Sequence, residues 1–165
     1  MHKFMLILFT GIVSSASLAQ ETTLPKPHLK HALGIAGSGD GGFGFSYRYL
    51  PNKLGVQVNF LSILTPYEYV QSTGLSLQYQ FHSSNRVDAY GYFASNFLFN
   101  SPRHSSKFYG MVTSGLGAGI TIRFVEFMSL QLQAGYAVYD ITNTQEIFSG
   151  RQSGFSPGIG LYYNF

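Results

Sequence analysis

At 165 residues the chain has room for one domain and too little for two comfortable ones. Charged residues make up 10 % of it, well below the roughly 25 % of a soluble domain, while aromatics reach 16 %, all of them Phe or Tyr. The net charge of +3 is carried by scattered residues with no Lys/Arg stripe, which argues against a nucleic-acid partner; the lack of cysteine excludes a disulfide framework, thiol catalysis and Cys-based zinc or iron–sulfur sites.

The chain opens as a secretory signal peptide does. His2 and Lys3 form a short basic start and Phe4 to Val13 an apolar stretch; the small residues Ser17 and Ala19 then place cleavage between Ala19 and Gln20. The apolar run is shorter than the roughly 20 residues that a membrane-spanning helix needs. No Cys follows the cleavage point, so a lipoprotein anchor is excluded. The expected division is a signal peptide at 1–19, a polar lead-in with two prolines at 20–30, and one barrel domain at 31–165.

From His31 onward the hydrophobic pattern has period two, the signature of strands. The spacing predicts eight of them, at 31–38, 42–50, 54–62, 73–82, 87–99, 112–124, 128–139 and 154–165. In the fourth, Leu75, Leu77, Tyr79 and Phe81 alternate with Ser76, Gln78, Gln80 and His82. The fifth is ambiguous, because Ala89-Tyr90-Gly91-Tyr92-Phe93 fits either face. In the sixth, Leu116, Ala118, Ile120, Ile122 and Phe124 alternate with Gly115, Gly117, Gly119, Thr121 and Arg123. The seventh sets Leu130, Leu132, Ala134, Tyr136 and Val138 against Gln131, Gln133, Gly135, Ala137 and Tyr139. In the last, Phe155, Pro157, Ile159, Leu161, Tyr163 and Phe165 point one way. Many glycines, together with Pro51, Pro66, Pro102 and Pro157, disfavour long helices.

The predicted connections alternate in length. Short turns fall at Pro51–Lys53, Ser83–Arg86 and Val125–Phe127, and longer loops at Thr65–Ser72, Asn100–Met111 and Asp140–Ser153. The first hairpin, around Ser38 to Gly41, is the exception in being short. Such sorting matches an outer-membrane barrel, whose termini and short turns lie in the periplasm. Alternation alone leaves open which face is buried. A soluble lipocalin-like barrel would expose the second set and should fill it with Lys and Glu. Here that set is Gly, Ser, Thr, Gln, Asn and Tyr, which fits the narrow, side-chain-filled lumen of an eight-stranded membrane barrel. Arg48, Asp88 and Arg123 are its candidate charges. Buried charges need partners, and an Arg–Asp pair or cluster would supply them. Aromatics gather towards both strand ends, among them Tyr47, Tyr49, Tyr163 and Phe165 at one and Phe43, Phe60, Phe97, Phe99, Phe148 and Phe155 at the other, as two interfacial girdles do.

The closing stretch Ile159-Gly160-Leu161-Tyr162-Tyr163-Asn164-Phe165 resembles the C-terminal signature of outer-membrane barrels, in which alternating apolar residues end in an aromatic. With the signal peptide and the loop pattern, the mature chain resembles the small OmpA/OmpX-like barrels over nearly its whole length. The resemblance implies an all-β, eight-stranded antiparallel up-and-down transmembrane barrel. It also implies that Ile159, Leu161, Tyr163 and Phe165 form an assembly signal for the barrel-assembly machinery, and that outer-membrane lipid is a partner. The chain ends at the barrel, so anchoring to the cell wall through a further domain is not expected.

Candidate chemistry is sparse. Lipid A deacylases among such barrels carry H-x-S-N, which His82-Ser83-Ser84-Asn85 matches, and a His beside a Ser can activate the hydroxyl if an acid orients it. The match falls in a predicted periplasmic turn, with Asp88 as its nearest acid. His28 and His31 lack a third ligand nearby, and Ser38-Gly39-Asp40-Gly41-Gly42 lacks the Lys-Ser/Thr of a phosphate loop. Arg103, His104 and Lys107 make one long loop basic. The expectation is a non-enzymatic outer-membrane barrel with a structural or surface-interaction role, with no catalytic residue, metal or cofactor. A lipid A-modifying enzyme, a small pore and a soluble ligand-binding barrel are the alternatives.

Overall fold

The computed structural model describes residues 29–102, 109–143 and 151–165, apart from the side chains of 141–143. The signal peptide with its Ala19–Gln20 junction, His28, the basic loop and Phe148 all lie outside the described residues. Within them the chain forms eight strands: β1 (His31–Ser38), β2 (Gly42–Tyr49), β3 (Leu54–Leu64), β4 (Glu68–Ser83), β5 (Val87–Pro102), β6 (Tyr109–Val125), β7 (Met128–Asn143) and β8 (Arg151–Asn164). Each pairs antiparallel with the next, and β1 pairs with β8 to close the barrel. Closure leaves the lower parts of β1 and β8 without a free edge; Pro157 lies just above the β1 pairing, which begins at Gly158 and so loses no bond to it.

The faces are inverted relative to a soluble barrel. Ser46, Gln57, Asn59, Ser72, Ser76, Gln78, Asn96, Thr113, Thr121, Ser129, Gln131 and Ser156 are buried in the lumen. Leu33, Ile35, Phe45, Leu75, Leu77, Phe93, Leu116, Phe155, Ile159 and Leu161 are exposed on the outside. In water such a surface would be strongly unfavourable, whereas in lipid it is the required one. The ambiguity in β5 resolves with Tyr90 and Tyr92 inward and Phe93 and Phe97 outward. Lumen glycines make room for these rings: a Cβ on Gly119 would meet the Tyr90 hydroxyl at 2.3 Å, and one on Gly135 the Tyr92 hydroxyl at 2.6 Å.

Several predicted boundaries are corrected. β4 begins at Glu68, so the expected loop Thr65–Ser72 shrinks to Thr65-Pro66-Tyr67. Thr65 closes that turn: its Oγ1 accepts from the Tyr67 and Glu68 amides at 3.3 and 3.0 Å, and its own amide donates to the Glu68 carbonyl at 2.9 Å. Residues 68–72 pair with 98–102, which alternation scored as loop because Glu68, Gln71 and Ser72 dilute the apolar signal. β3 likewise runs to Leu64, and β5, β6, β7 and β8 each extend towards the same end. A register shift between Gln80 and His82 moves His82 off the lumen-facing set in which the alternation placed it: it pairs with Ala89 and is exposed.

Candidate functional site

Chemistry-bearing side chains collect at two levels of the lumen. The lower level lies near the termini. Asp88 on β5 is paired with Thr121 on β6, which puts Arg123 at its diagonal neighbour position. Arg123 Nη1 donates to Asp88 Oδ2 at 2.6 Å and Nη2 to Asp88 Oδ1 at 3.1 Å, a two-pronged pair. The same guanidinium donates to the carbonyls of Ser84 and Asn85, and so ties the β4–β5 turn to β6. Ser83 Oγ donates to Asp88 Oδ1 at 2.5 Å. Arg48 takes no part in this pair. It crosses the barrel from β2, donating to Thr121 Oγ1 at 3.1 Å and to Asn164 Oδ1 at 3.5 Å, and its guanidinium lies 4.6 Å from the centre of the Tyr162 ring. Asn164 is itself buried and exchanges hydrogen bonds with Ser129. The three charges singled out in the sequence thus occupy one level, two as an ion pair and one held by neutral groups and a ring.

Above them the lumen is crossed by neutral bonds. Gln131 Nε2 donates to the Tyr90 hydroxyl at 2.6 Å, Ser46 and Tyr162 share a hydroxyl bond of 2.8 Å, and Gln78 Nε2 donates to Gln57 Oε1 at 2.7 Å. A cavity of about 50 Å³ at the lower mouth, bounded by Arg48, Gln78, Asp88, Tyr90 and Arg123, holds no more than a water or two.

The upper level was not legible as a site. The β1–β2 turn, Gly39-Asp40-Gly41, folds into the barrel rather than standing above it. Asn59 Nδ2 donates to the Gly41 carbonyl at 2.7 Å, and the Gly41 amide donates to Ser38 Oγ at 2.8 Å. Gly42 has φ of 76°, a conformation open to glycine with little strain. The walls around the turn are small: a Cβ on Gly74 would lie 1.8 Å from the Gly41 carbonyl oxygen, and Ala94 and Ala137 are fully buried. Asp40 is fully buried at the tip. The sequence signal was an acid between glycines in a short upper connection, opposite strands with Gly or Ala at lumen positions.

Two solved outer-membrane barrels share this fold. The N-terminal β-barrel domain of Pseudomonas aeruginosa OprF matches at 17 % identity with a TM-score of 0.52, over 82 % of this chain and 96 % of that one. Neisserial surface protein A matches at 18 % identity with the same TM-score of 0.52, over 82 % and 94 %. At such identities the likeness establishes the architecture alone. No protein-family model and no curated protein matches the sequence.

The outer surface carries the rest of the candidate residues. Ile159, Leu161, Tyr163 and Phe165 all point outward and are exposed. At the lower rim His31 stacks on Tyr49 at 4.9 Å and on Phe165 at 5.7 Å, and Phe127 meets Tyr163 at 5.8 Å, so an aromatic belt runs across the β1–β8 closure. His31 Nδ1 lies 2.7 Å from the Tyr47 hydroxyl. In the His82–Asn85 segment, Ser84 is occupied by the turn, donating to the Val87 carbonyl and accepting from the Val87 amide. His82 is turned outward by the bulge, while Asp88, the nearest acid, faces inward to Arg123. The arrangement does not assemble an acid–His–Ser relay.

Proposed function

We propose that the chain is a non-enzymatic outer-membrane barrel protein with a structural or surface-interaction role. The observation that carries this reading is the inversion of polarity, with an apolar outer wall, an aromatic belt at its lower rim and a filled polar lumen. The end bearing the termini and the turns at 50–53, 84–86 and 126–127 faces the periplasm. A tilted strand of about 9–11 residues crosses a bilayer, whereas β4, β5, β6 and β7 have 16 or 17 residues. Their surplus length projects beyond the outer leaflet as a sheet suited to contacts at the cell surface. Lumen bonds and the inward-folded turn argue against a pore, and the dispersed His82, Ser84 and Asp88 argue against a deacylase.

Outer-membrane lipid and the barrel-assembly machinery are the partners this reading requires. Ile159, Leu161, Tyr163 and Phe165 would present the closing strand to the latter, and no nucleic acid, metal-dependent chemistry or cofactor is invoked. The test is fractionation of intact cells followed by external proteolysis. The mature chain should partition with outer membranes, migrate differently on gels before and after heating, and be cut only in the segments around 65–67, 103–108 and 144–150. Recovery as a soluble periplasmic monomer would overturn the proposal.

A further inference from the structure

The two lumen acids are treated differently. Asp88 is met by Arg123 and Ser83. Asp40 has no exposure, and neither of its carboxylate oxygens has a hydrogen-bond partner. The Tyr92 hydroxyl, Thr113 Oγ1 and Ser156 Oγ are also buried without a partner. These groups surround the same turn. Asp40 presses on the backbone of Gly115, whose added Cβ would lie 2.7 Å from Asp40 Oδ2. Thr113 occupies the preceding lumen position on β6, the Tyr92 hydroxyl is in electrostatic reach of the carboxylate, and Ser156 Oγ lies against Gly39.

A bare carboxylate is strongly disfavoured in a dry interior. The Tyr92 hydroxyl is close enough to interact with the carboxylate, yet neither Asp40 oxygen completes a hydrogen bond of normal geometry with it or with the other hydroxyls. A carboxylate held no better than that still calls for a positive charge among these oxygens. The lumen arginines do not supply the positive charge, because Arg48 and Arg123 are committed at the lower level.

We propose that this chamber binds a small, hard monovalent cation of sodium size, held by the Asp40 carboxylate with oxygens of Tyr92, Thr113 and Ser156, and that the ion pins the β1–β2 turn inside the barrel. An all-oxygen donor set selects a hard cation. A single carboxylate neutralises a single charge; a divalent ion would leave the chamber positive, and no group of three or more His, Cys, Asp or Glu occurs among the described residues. The ion closes the upper lumen by joining the turn to β5, β6 and β8. It thereby links the β1–β2 hairpin to β5 and β6, with which it has no backbone pairing.

The full chain, refolded in detergent micelles, is unfolded by urea in sodium chloride and in N-methylglucamine chloride of equal ionic strength. Wild type should show a midpoint that rises with sodium and saturates. Asp40→Asn should lose the sodium-specific rise, and Thr113→Val should need more sodium for half of it. Broadening of the ²³Na resonance by wild type, reduced by Thr113→Val, provides a readout should Asp40→Asn fail to fold. Identical wild-type midpoints in the two salts would overturn the proposal, as would a rise retained in Asp40→Asn. A rise given by calcium or magnesium but not by sodium would overturn the choice of ion. A midpoint that rises only on acidification, in either salt, would assign the chamber to a proton instead.

Discussion

Breaking the Asp88–Arg123 pair should reveal how the lower lumen is held. Removing one partner of a fully buried pair costs about 3–5 kcal/mol, and exposed pairs contribute about 0–1. Here the side chains are 20 % exposed for Arg123 and 8 % for Asp88, so the pair lies near the buried limit, with some relief at the arginine. Arg123→Ala removes the two-pronged partner of the more buried carboxylate, leaving Ser83 among its donors, and takes a donor from the carbonyls of Ser84 and Asn85. A loss of about 3 kcal/mol is expected. Asp88→Ala leaves a guanidinium that keeps those two carbonyls and reaches water, for a loss of about 2 kcal/mol. Removing both abolishes the stranded charge, so the double variant should lose about 3–4 kcal/mol, a coupling of roughly 1–2. Urea unfolding of the refolded barrel, followed by far-ultraviolet circular dichroism, measures all four corners of the cycle. Additive losses, or losses below about 0.5 kcal/mol for each single variant, would refute the reasoning.

Leu116, exposed midway along β6, should mark the lipid face: Leu116→Arg should lower stability in vesicles by about 2–4 kcal/mol. Phe165→Asp should reduce folded protein in the outer membrane more than Asn164→Asp, because Phe165 belongs to the outer belt while Asn164 already faces Arg48 and tolerates a negative charge there. A charge at the interface costs only about 0–1 kcal/mol, so a severe defect for Phe165→Asp would assign it to assembly, and equal levels for both variants would reject the face assignment. Gly74→Ala drives a methyl into the Gly41 carbonyl and should cost about 1–3 kcal/mol in the same urea assay, together with new protease cleavage at the displaced turn. His82→Ala and Ser84→Ala should leave lipid A acylation in cells unchanged; a deacylation lost in both would establish the relay that the bulge argues against.

The sequence by itself determined the class of fold and the two faces. Alternation with period two is a property of the strand, so Leu116 and Thr121 declare opposite sides without reference to any neighbour. The shortage of Lys and Glu in the polar set then marked that set as the lumen side. It also marked the ends, because Pro51 and the Asp40-Gly41-Gly42 run write turns locally. Tertiary structure decided what alternation cannot encode. Strand β4 reaches Glu68 because residues 98–102 pair with it, although its own pattern there is weak. The inserted residue near Phe81 turns His82 outward, since one extra residue reverses a period of two. Asp88 meets Arg123, rather than Arg48, through a register set between positions 35 apart in the chain. Asp40 enters the lumen because the walls opposite it are Gly74, Ala94, Gly115 and Ala137, a space visible only once four strands are side by side. A face is fixed by the backbone repeat of one strand, but a partner is fixed by closure of the ring.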